Sequence, residues 1–429
     1  MSYSFYTHST AIKDMESNKG ELELLPQIRT RNRNISNIDP VNMLSSIDTG
    51  SFEQGVGSNP GPWASNLLLD CAKAIMEKEM GKIQQLLWML NELASPYGDC
   101  EQRVAAYFLQ ALFCKMMETG PRCHKTLCAA VERSCCFDSM RKMILKFQEA
   151  SPWTTFGHVA ANSAILEAFD GENCLHIVDM STTLCTQWPM LLESLATRND
   201  GTPTLRLTTV ILRGMSNCNS VMKEIGQRME KFARLMGVPF EFSVVYKEED
   251  EELDLKRIEL RPDEVLAVNC VYSLQRLKHK DSLLSALRNM NPKIVTVVEE
   301  EVDLESGDFY ERFCECHRFF SLYFVSLEES FGRTSNERLM LEREMGRSLV
   351  NILACPDNCE HREKSAQWAV RFDGAGFEPW PFSDDAVDDV RALLKRYKEG
   401  WGLNTVNSQG LFLTWKEQSA VWVSAWKPK

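Results

Sequence analysis

No stretch of the 429 residues approaches the ~18 consecutive apolar residues that a membrane-spanning helix needs, so an integral membrane protein is not expected. The first residues, Met1 to Thr10, are polar, with no basic segment leading into an apolar one, and no secretory signal is read there. Positive charge is in deficit: 48 Lys and Arg stand against 60 Asp and Glu, a formal charge of −12, so the chain as a whole is repelled by DNA and by anionic lipid. Compositional bias is also missing. Hydrophobic residues at 44% and charged residues at 25% are the mix of an ordinary globular protein, which excludes a mainly disordered chain, a collagen-like one and a coiled-coil rod. At ~100–200 residues per domain, the length nominally allows two or three domains.

Cysteine, by contrast, is plentiful at 15. In a large chain without an export signal the default is reduced thiols, not a disulfide framework. Cys135 and Cys136 are adjacent, Cys314 and Cys316 are two apart, and only Cys355 and Cys359, with His361 behind them, have ligand-like spacing. No clear matching second pair completes a zinc site, so no metal is expected.

Residues 1–62 read as a polar tail, with Asn32, Asn34, Ser36, Asn37, Gly55, Gly57 and Ser58, closed by Asn59-Pro60-Gly61-Pro62. The tail holds the short basic cluster Arg29, Arg31 and Arg33, which either solubilises it or acts as a weak nuclear import signal. Helical spacing begins at Trp63. Ile83, Leu86, Leu87 and Leu90 follow i, i+3, i+4, i+7; Val104, Tyr107, Phe108, Ala111 and Leu112 repeat the pattern, as do Met140, Met143, Ile144 and Phe147. Residues 63–150 are therefore expected to be amphipathic helices. Their stripes serve a bundle core, a partner, or both, and Ile83, Leu86, Leu87 and Leu90 are the candidate partner-contact helix.

After His158 the period changes. Leu175 to Asp179, Leu205 to Leu212, Phe240 to Tyr246, Val265 to Cys270 and Ile294 to Val298 read as strands, with helices at Trp188 to Leu195, Val221 to Met236 and Leu283 to Met290. Alternation at this spacing predicts a parallel sheet covered on both faces. Leu411 to Trp415 and Val421 to Trp426, flanking the polar Lys416-Glu417-Gln418-Ser419, predict a C-terminal antiparallel hairpin completing a mostly parallel sheet. Within the last strand Trp422, Ser424 and Trp426 share one face, which argues for core over interface. The acidic run Glu248 to Glu252 is read as a solvated loop. The expected fold is α/β with a helical subdomain in front.

Such sheets commonly bind nucleotide-derived cofactors, through a glycine-rich turn after the first strand and an acid after the second. Here the first strand ends Asp179-Met180-Ser181-Thr182-Thr183-Leu184, without glycine, and Leu212 is followed by Arg213-Gly214. Both requirements fail, so no cofactor-binding residue is expected, and Asp179 is expected to cap a helix or bond loop amides. No nucleophile elbow, phosphate loop or zinc-protease pair is present. Glu299, Glu300 and Glu301, without a cofactor turn or a partner histidine, are expected to be structural or to pair with basic groups, and no catalytic residue is expected.

At these residues the chain resembles the plant GRAS family over nearly all of 63–429. Leu67-Leu68-Leu69-Asp70-Cys71-Ala72 is similar to the opening of the family's first leucine-rich region. Leu175, His176, Ile177, Val178 and Asp179 resemble its VHIID motif, and Val268-Asn269-Cys270 its VNC strand. Ser335-Asn336-Glu337-Arg338 through Gly346-Arg347 resembles its PFYRE region, with Ser348 where an acid is usual, and Ser424, Ala425 and Trp426 its terminal SAW. Stretches such as Leu93 to Asp99, Thr155 to Asn162 and Lys231 to Pro239 resemble the SHORT-ROOT subgroup.

The resemblance implies a Rossmann-like core related to methyltransferases, under an N-terminal helical cap, with 63–150 as the leucine-rich cap region and 151–429 as the α/β core. It implies a nuclear transcriptional regulator in plant development, often in root patterning. Its partners would be other GRAS proteins of the SCARECROW type and C2H2 zinc-finger factors that hold the DNA. The rival readings are a factor that binds DNA directly, against which the charge weighs, and an S-adenosylmethionine-dependent methyltransferase, against which the missing glycines weigh.

Overall fold

The change of period after His158 marks where a layer of helices gives way to a sheet. The computed structural model describes residues 63–134, 137–199, 201–212, 218–247, 257–277, 279–305, 307–332, 334–356, 360–406 and 410–429. The tail 1–62 with its arginine cluster, Cys135, Cys136, Cys359, Arg213-Gly214 and the run Glu248 to Glu252 lie outside the described residues.

The strands are β1 (Cys174–Asp179), β2 (Thr204–Leu212), β3 (Phe240–Lys247), β4 (Val265–Val271), β5 (Ile294–Glu300), β6 (Phe377–Pro379), β7 (Trp401–Val406), β8 (Gly410–Trp415) and β9 (Gln418–Pro428). They form one sheet in the order β3-β2-β1-β4-β5-β9-β8-β7, with β6 also on β9. β1 to β5 are parallel, and β9 runs antiparallel to β5, pairing Thr296 with Ala425 and Val295 with Trp426. The five parallel strands lie where their apolar runs predict. The hairpin turn is shorter than expected: Lys416 and Glu417 both take left-handed backbone, at φ 46° and 69°, and Gln418 and Ser419 already belong to β9. Two left-handed residues match the twist of the flanking strands.

The helices are α1 (Trp63–Glu77), α2 (Met80–Leu93), α3 (Cys100–Met116), α4 (Gly120–Ser134), α5 (Phe137–Ala150), α6 (Pro152–Ala168), α7 (Trp188–Ala196), α8 (Cys218–Met236), α9 (Lys280–Asn289), α10 (Phe309–Ser330), α11 (Asn336–Ala354), α12 (Ser365–Gly374) and α13 (Asp384–Leu394). One face of the sheet packs Leu175, Ile177, Leu205 and Leu207 against Trp188, Leu191 and Leu192 of α7 and Met222 and Ile225 of α8. The other packs Val178, Leu266 and Val268 with Leu284 and Leu287 of α9 and Trp368 and Phe372 of α12. Both faces are covered, as a parallel sheet requires. α6 lies so close to β5 that a Cβ on Gly157 would stand 2.3 Å from Val298 Cγ1, so only glycine fits there.

The helical layer differs from the expectation in one respect. Residues 63–150 do not complete the cap: α11 packs along α3 and α4, and α10 against α1 and α3. Phe313, Phe319, Phe320 and Phe324 of α10 share a core with Phe108 of α3 and Leu68 of α1. Both later helices carry ordinary start signals: Asp308 forms a capping box with Glu311, and the Ser335 hydroxyl accepts from Arg338 N. Their membership in the cap is a long-range matter that local spacing does not carry.

Candidate functional site

In a doubly wound sheet the ligand crevice opens at the carboxyl ends of the strands, where the order reverses; here that is between β1 and β4. The chain's own backbone closes that crevice. Beyond the end of β1, Met180 N donates to Asn269 O at 2.8 Å and Thr182 N to Val271 O at 3.1 Å, so the turn continues along β4. Leu184 and Cys185 make the reversal at φ 52° and 60° without glycine.

Beneath the turn lies a connected buried polar network. Asp179 is fully buried; its Oδ1 accepts from Ser181 N at 3.0 Å and from Asn269 Nδ2 at 3.1 Å, and its Oδ2 from Trp188 Nε1 at 2.8 Å and Ser181 Oγ at 3.1 Å. Asn269 continues the chain, donating to Gln187 Oε1 at 3.1 Å and accepting from Thr296 Oγ1 at 2.9 Å. Gln187 Nε2 donates to Asn162 Oδ1 at 3.0 Å. Burial holds the Asp179 carboxyl above its usual range, opposed by the donors on Trp188, Asn269 and Ser181. Asp179 therefore bonds the loop amide, as its position without a glycine turn predicts, and the network that it anchors joins β1, β4, β5, α6 and α7.

The remaining residues of the β1 motif are buried as well. Leu175 and Ile177 face the α7 side and Val178 the α9 side. His176 is bonded through Nε2 to Thr208 Oγ1 at 2.9 Å and lies with Nδ1 3.1 Å from Arg206 Nη2; burial, then Arg206, lowers its pKa to about 3, so it stays neutral.

At the end of β5 the three glutamates have structural partners. Glu299 Oε1 accepts from Leu274 N at 2.7 Å, and burial pushes its carboxyl up to about 8. Glu300 pairs with Arg362, and Glu301 Oε2 accepts from Ser365 N at 3.0 Å. Arg362 also donates to Glu360 Oε2 at 2.7 Å and lies over the Phe320 ring. Ser348, where the resembled region has an acid, donates to Glu360 Oε2 at 2.6 Å, so the acid in this cluster comes from the following segment. Among the described residues no group of three or more His, Cys, Asp and Glu is placed to hold a metal ion.

The terminal residues Ser424, Ala425 and Trp426 are buried in β9, paired with β5. Trp426 Nε1 donates to Ser424 Oγ at 2.8 Å, which bears out their shared face, and its ring stacks on Phe372 at 4.7 Å and 7°.

The candidate partner helix needs a correction. Ile83, Leu86 and Leu90 are buried in the cap core and Leu87 is half-buried, so the stripe is internal. The spacing identifies the buried face of α2 and nothing more. Exposed apolar side chains on this helix are Met80 and Trp88, at 54% and 44%. Sequence reasoning missed a buried ion cluster: Arg103 of α3 bonds Glu342 of α11 at 3.1 Å and pairs with Glu328 of α10. Its signal was present as Arg103 at the edge of the apolar stripe of α3, next to Val104 and one turn before Tyr107.

The profile of the GRAS domain family matches residues 64–427. The chain is 53% identical to SHORT-ROOT of Arabidopsis thaliana over 389 residues, covering 85% of this chain and 73% of that protein. It is 50% identical to SHORT-ROOT 1 of Oryza sativa subsp. japonica over 412 residues, 85% of this chain and 68% of that one. The crystal structure of SCL7 in Oryza sativa superposes with a TM-score of 0.70 at 27% identity, over 86% of this chain and 100% of that one. A crevice closed by the chain's own backbone, a β9 laid antiparallel on the parallel strands and these matches lead to one assignment: the chain belongs to the GRAS domain family, in its SHORT-ROOT group, and is a plant developmental transcriptional regulator in root patterning.

Proposed function

We propose that this regulator is a protein-interaction platform without methyl-transfer activity, held at DNA by partners in the nucleus. The observation that carries this reading is the closed β1/β4 crevice. The turn from Met180 to Thr182 runs along β4, and Asn269 bonds both Asp179 and Gln187 where a cofactor would enter. A ligand there must break that network, leaving buried polar groups unpaired. The formal charge of −12 supports indirect DNA contact, because non-specific affinity for DNA comes mostly from phosphate neutralisation. The partners under this reading are a GRAS protein of the SCARECROW type and a C2H2 zinc-finger factor. Met80 and Trp88 on α2 are the exposed apolar contacts offered for one of them, since tryptophan is enriched at interface centres. Among the described residues no helix is long and apolar enough to cross a membrane.

A paired measurement tests the reading. Calorimetric titration with S-adenosylmethionine should give no heat of binding at millimolar ligand, and a target promoter should shift in a gel only when a zinc-finger partner is added. Tight cofactor binding sinks the platform; a sequence-specific, salt-dependent shift by the protein alone sinks indirect DNA contact.

The same reading treats residues 1–62 as a tail that the domain does not need in order to fold. A chain beginning at Asn59 should unfold at the temperature of the full chain; a loss of many degrees would show that the tail packs on the domain.

A further inference from the structure

The joint between α3 and α4 brings two cysteines together. Cys114 lies in the last turn of α3 and Cys123 in the first turn of α4, and the connection between the helices is held at both ends. Thr119 N donates to Cys114 O at 3.0 Å, and Cys123 N donates to Thr119 O at 2.9 Å. The α4 start is pinned from the other side, because a Cβ on Gly120 would stand 2.1 Å from Ala354 O at the end of α11. In this fixed joint the two thiols are near enough to act on each other, and Thr119 acts on Cys114 as well. Gln110 Nε2, one turn back on α3, stands 4.0 Å from Cys123 Sγ. Cys114 is nearly buried, whereas Cys123 is half-buried. Both are free thiols.

We propose that Cys114 and Cys123 form a peroxide-responsive dithiol, a modification site that closes reversibly into a disulfide joining α3 to α4. Cys123 holds the Cys114 thiol below the ordinary range, against the upward push of burial, and is itself held above it. The thiolate is the nucleophile, so reactivity belongs to Cys114 and the resolving role to Cys123. The chemistry balances with hydrogen peroxide as oxidant. The Cys114 sulfur attacks one peroxide oxygen, the O–O bond breaks, and hydroxide leaves and is protonated to water. Cys114 is then a sulfenic acid. The Cys123 sulfur displaces its hydroxyl group: the S–S bond forms, the S–O bond breaks, and the Cys123 proton departs with that oxygen as the second water. Two thiols lose two electrons and one peroxide gains them. Reduction by a thiol pool restores the pair.

The full chain itself provides the test, since trypsin cuts after Arg103, Lys115, Arg122 and Lys125 and so separates the two sulfurs. After peroxide treatment and a non-reducing digest, mass spectrometry should find Val104–Lys115 joined to Cys123–Lys125, two hydrogens lighter than the sum of the free peptides. Dithiothreitol should abolish the joined species. In Cys123→Ser, Cys114 should stop at the sulfenic acid and take up dimedone; a thermal melt matching the parent shows that this variant folds. Both cysteines remaining fully alkylatable after peroxide would overturn the proposal, and so would Cys114 joined to another cysteine in place of Cys123.

Discussion

Glu342→Ala should destabilise the domain by about 3–5 kcal/mol, the usual consequence of removing one partner from a buried ion pair. Glu342 and Arg103 are both almost completely buried, and they bond at 3.1 Å between α11 and α3. Around them the charges alternate: Arg103 also pairs with Glu328, to which Arg338 donates at 2.8 Å, and the remaining arm of Arg103 donates to Gly98 O at 2.8 Å. Removing Glu342 takes a buried carboxylate away from Arg103 and Arg338, which both also pair with Glu328, at the seam where a late helix joins an early one. The loss is read as a lower urea midpoint at unchanged slope. Removing both charges should hurt less than the two single changes added together, because no buried charge is then stranded; Arg103→Met, alone and combined with Glu342→Ala, completes the cycle. A Glu342→Ala variant as stable as the parent would mean that the seam is held by its apolar contacts alone.

Trp426→Ala should cost a similar ~3–5 kcal/mol, as the loss of a large buried ring does. The ring lies flat against Phe372 of α12, and its strand position pairs with Val295 of β5 and Pro379 of β6. Truncation opens a cavity where the terminal strand, the parallel sheet and α12 meet. Trp426→Phe keeps a stacked ring and gives up the indole hydrogen bond to Ser424, so it should lose less than half as much. Thermal and urea unfolding of both variants measure the order. Parent-like stability of Trp426→Ala together with loss of a partner would instead make Trp426 an interface residue.

The motifs that identify the family are, in this structure, mostly interior. Leu175 to Asp179 lie in β1 and Ser424 to Trp426 in β9, both internal strands of the sheet, and all eight residues are buried. An account of partner recognition has to look to side chains that the motifs leave outside, such as Met80 and Trp88.

How far the chain could be read without coordinates depended on the range of the interaction. The five parallel strands and the helices among them were legible because an apolar run of five to nine residues is a local signal, set by burial on both faces. Asp179 was legible for a related reason: without glycine, the turn behind it had to be held by a side chain. β7 was not. Its first half is half-buried and its second half exposed, so the alternation that marks a strand is blurred at that edge of the sheet. α10 and α11 carried their caps in plain view at Asp308 and Ser335, yet nothing local tells such helices to leave the core and complete the cap begun at Trp63. Only the folded chain shows that, because the decisive groups, Arg103 and Glu342, stand 239 residues apart. The same holds for α2. Period alone separates its apolar face from its polar one, but whether Ile83, Leu86 and Leu90 meet a partner or their own core depends on what the rest of the chain lays against them, and here it is the chain's own hydrophobic core.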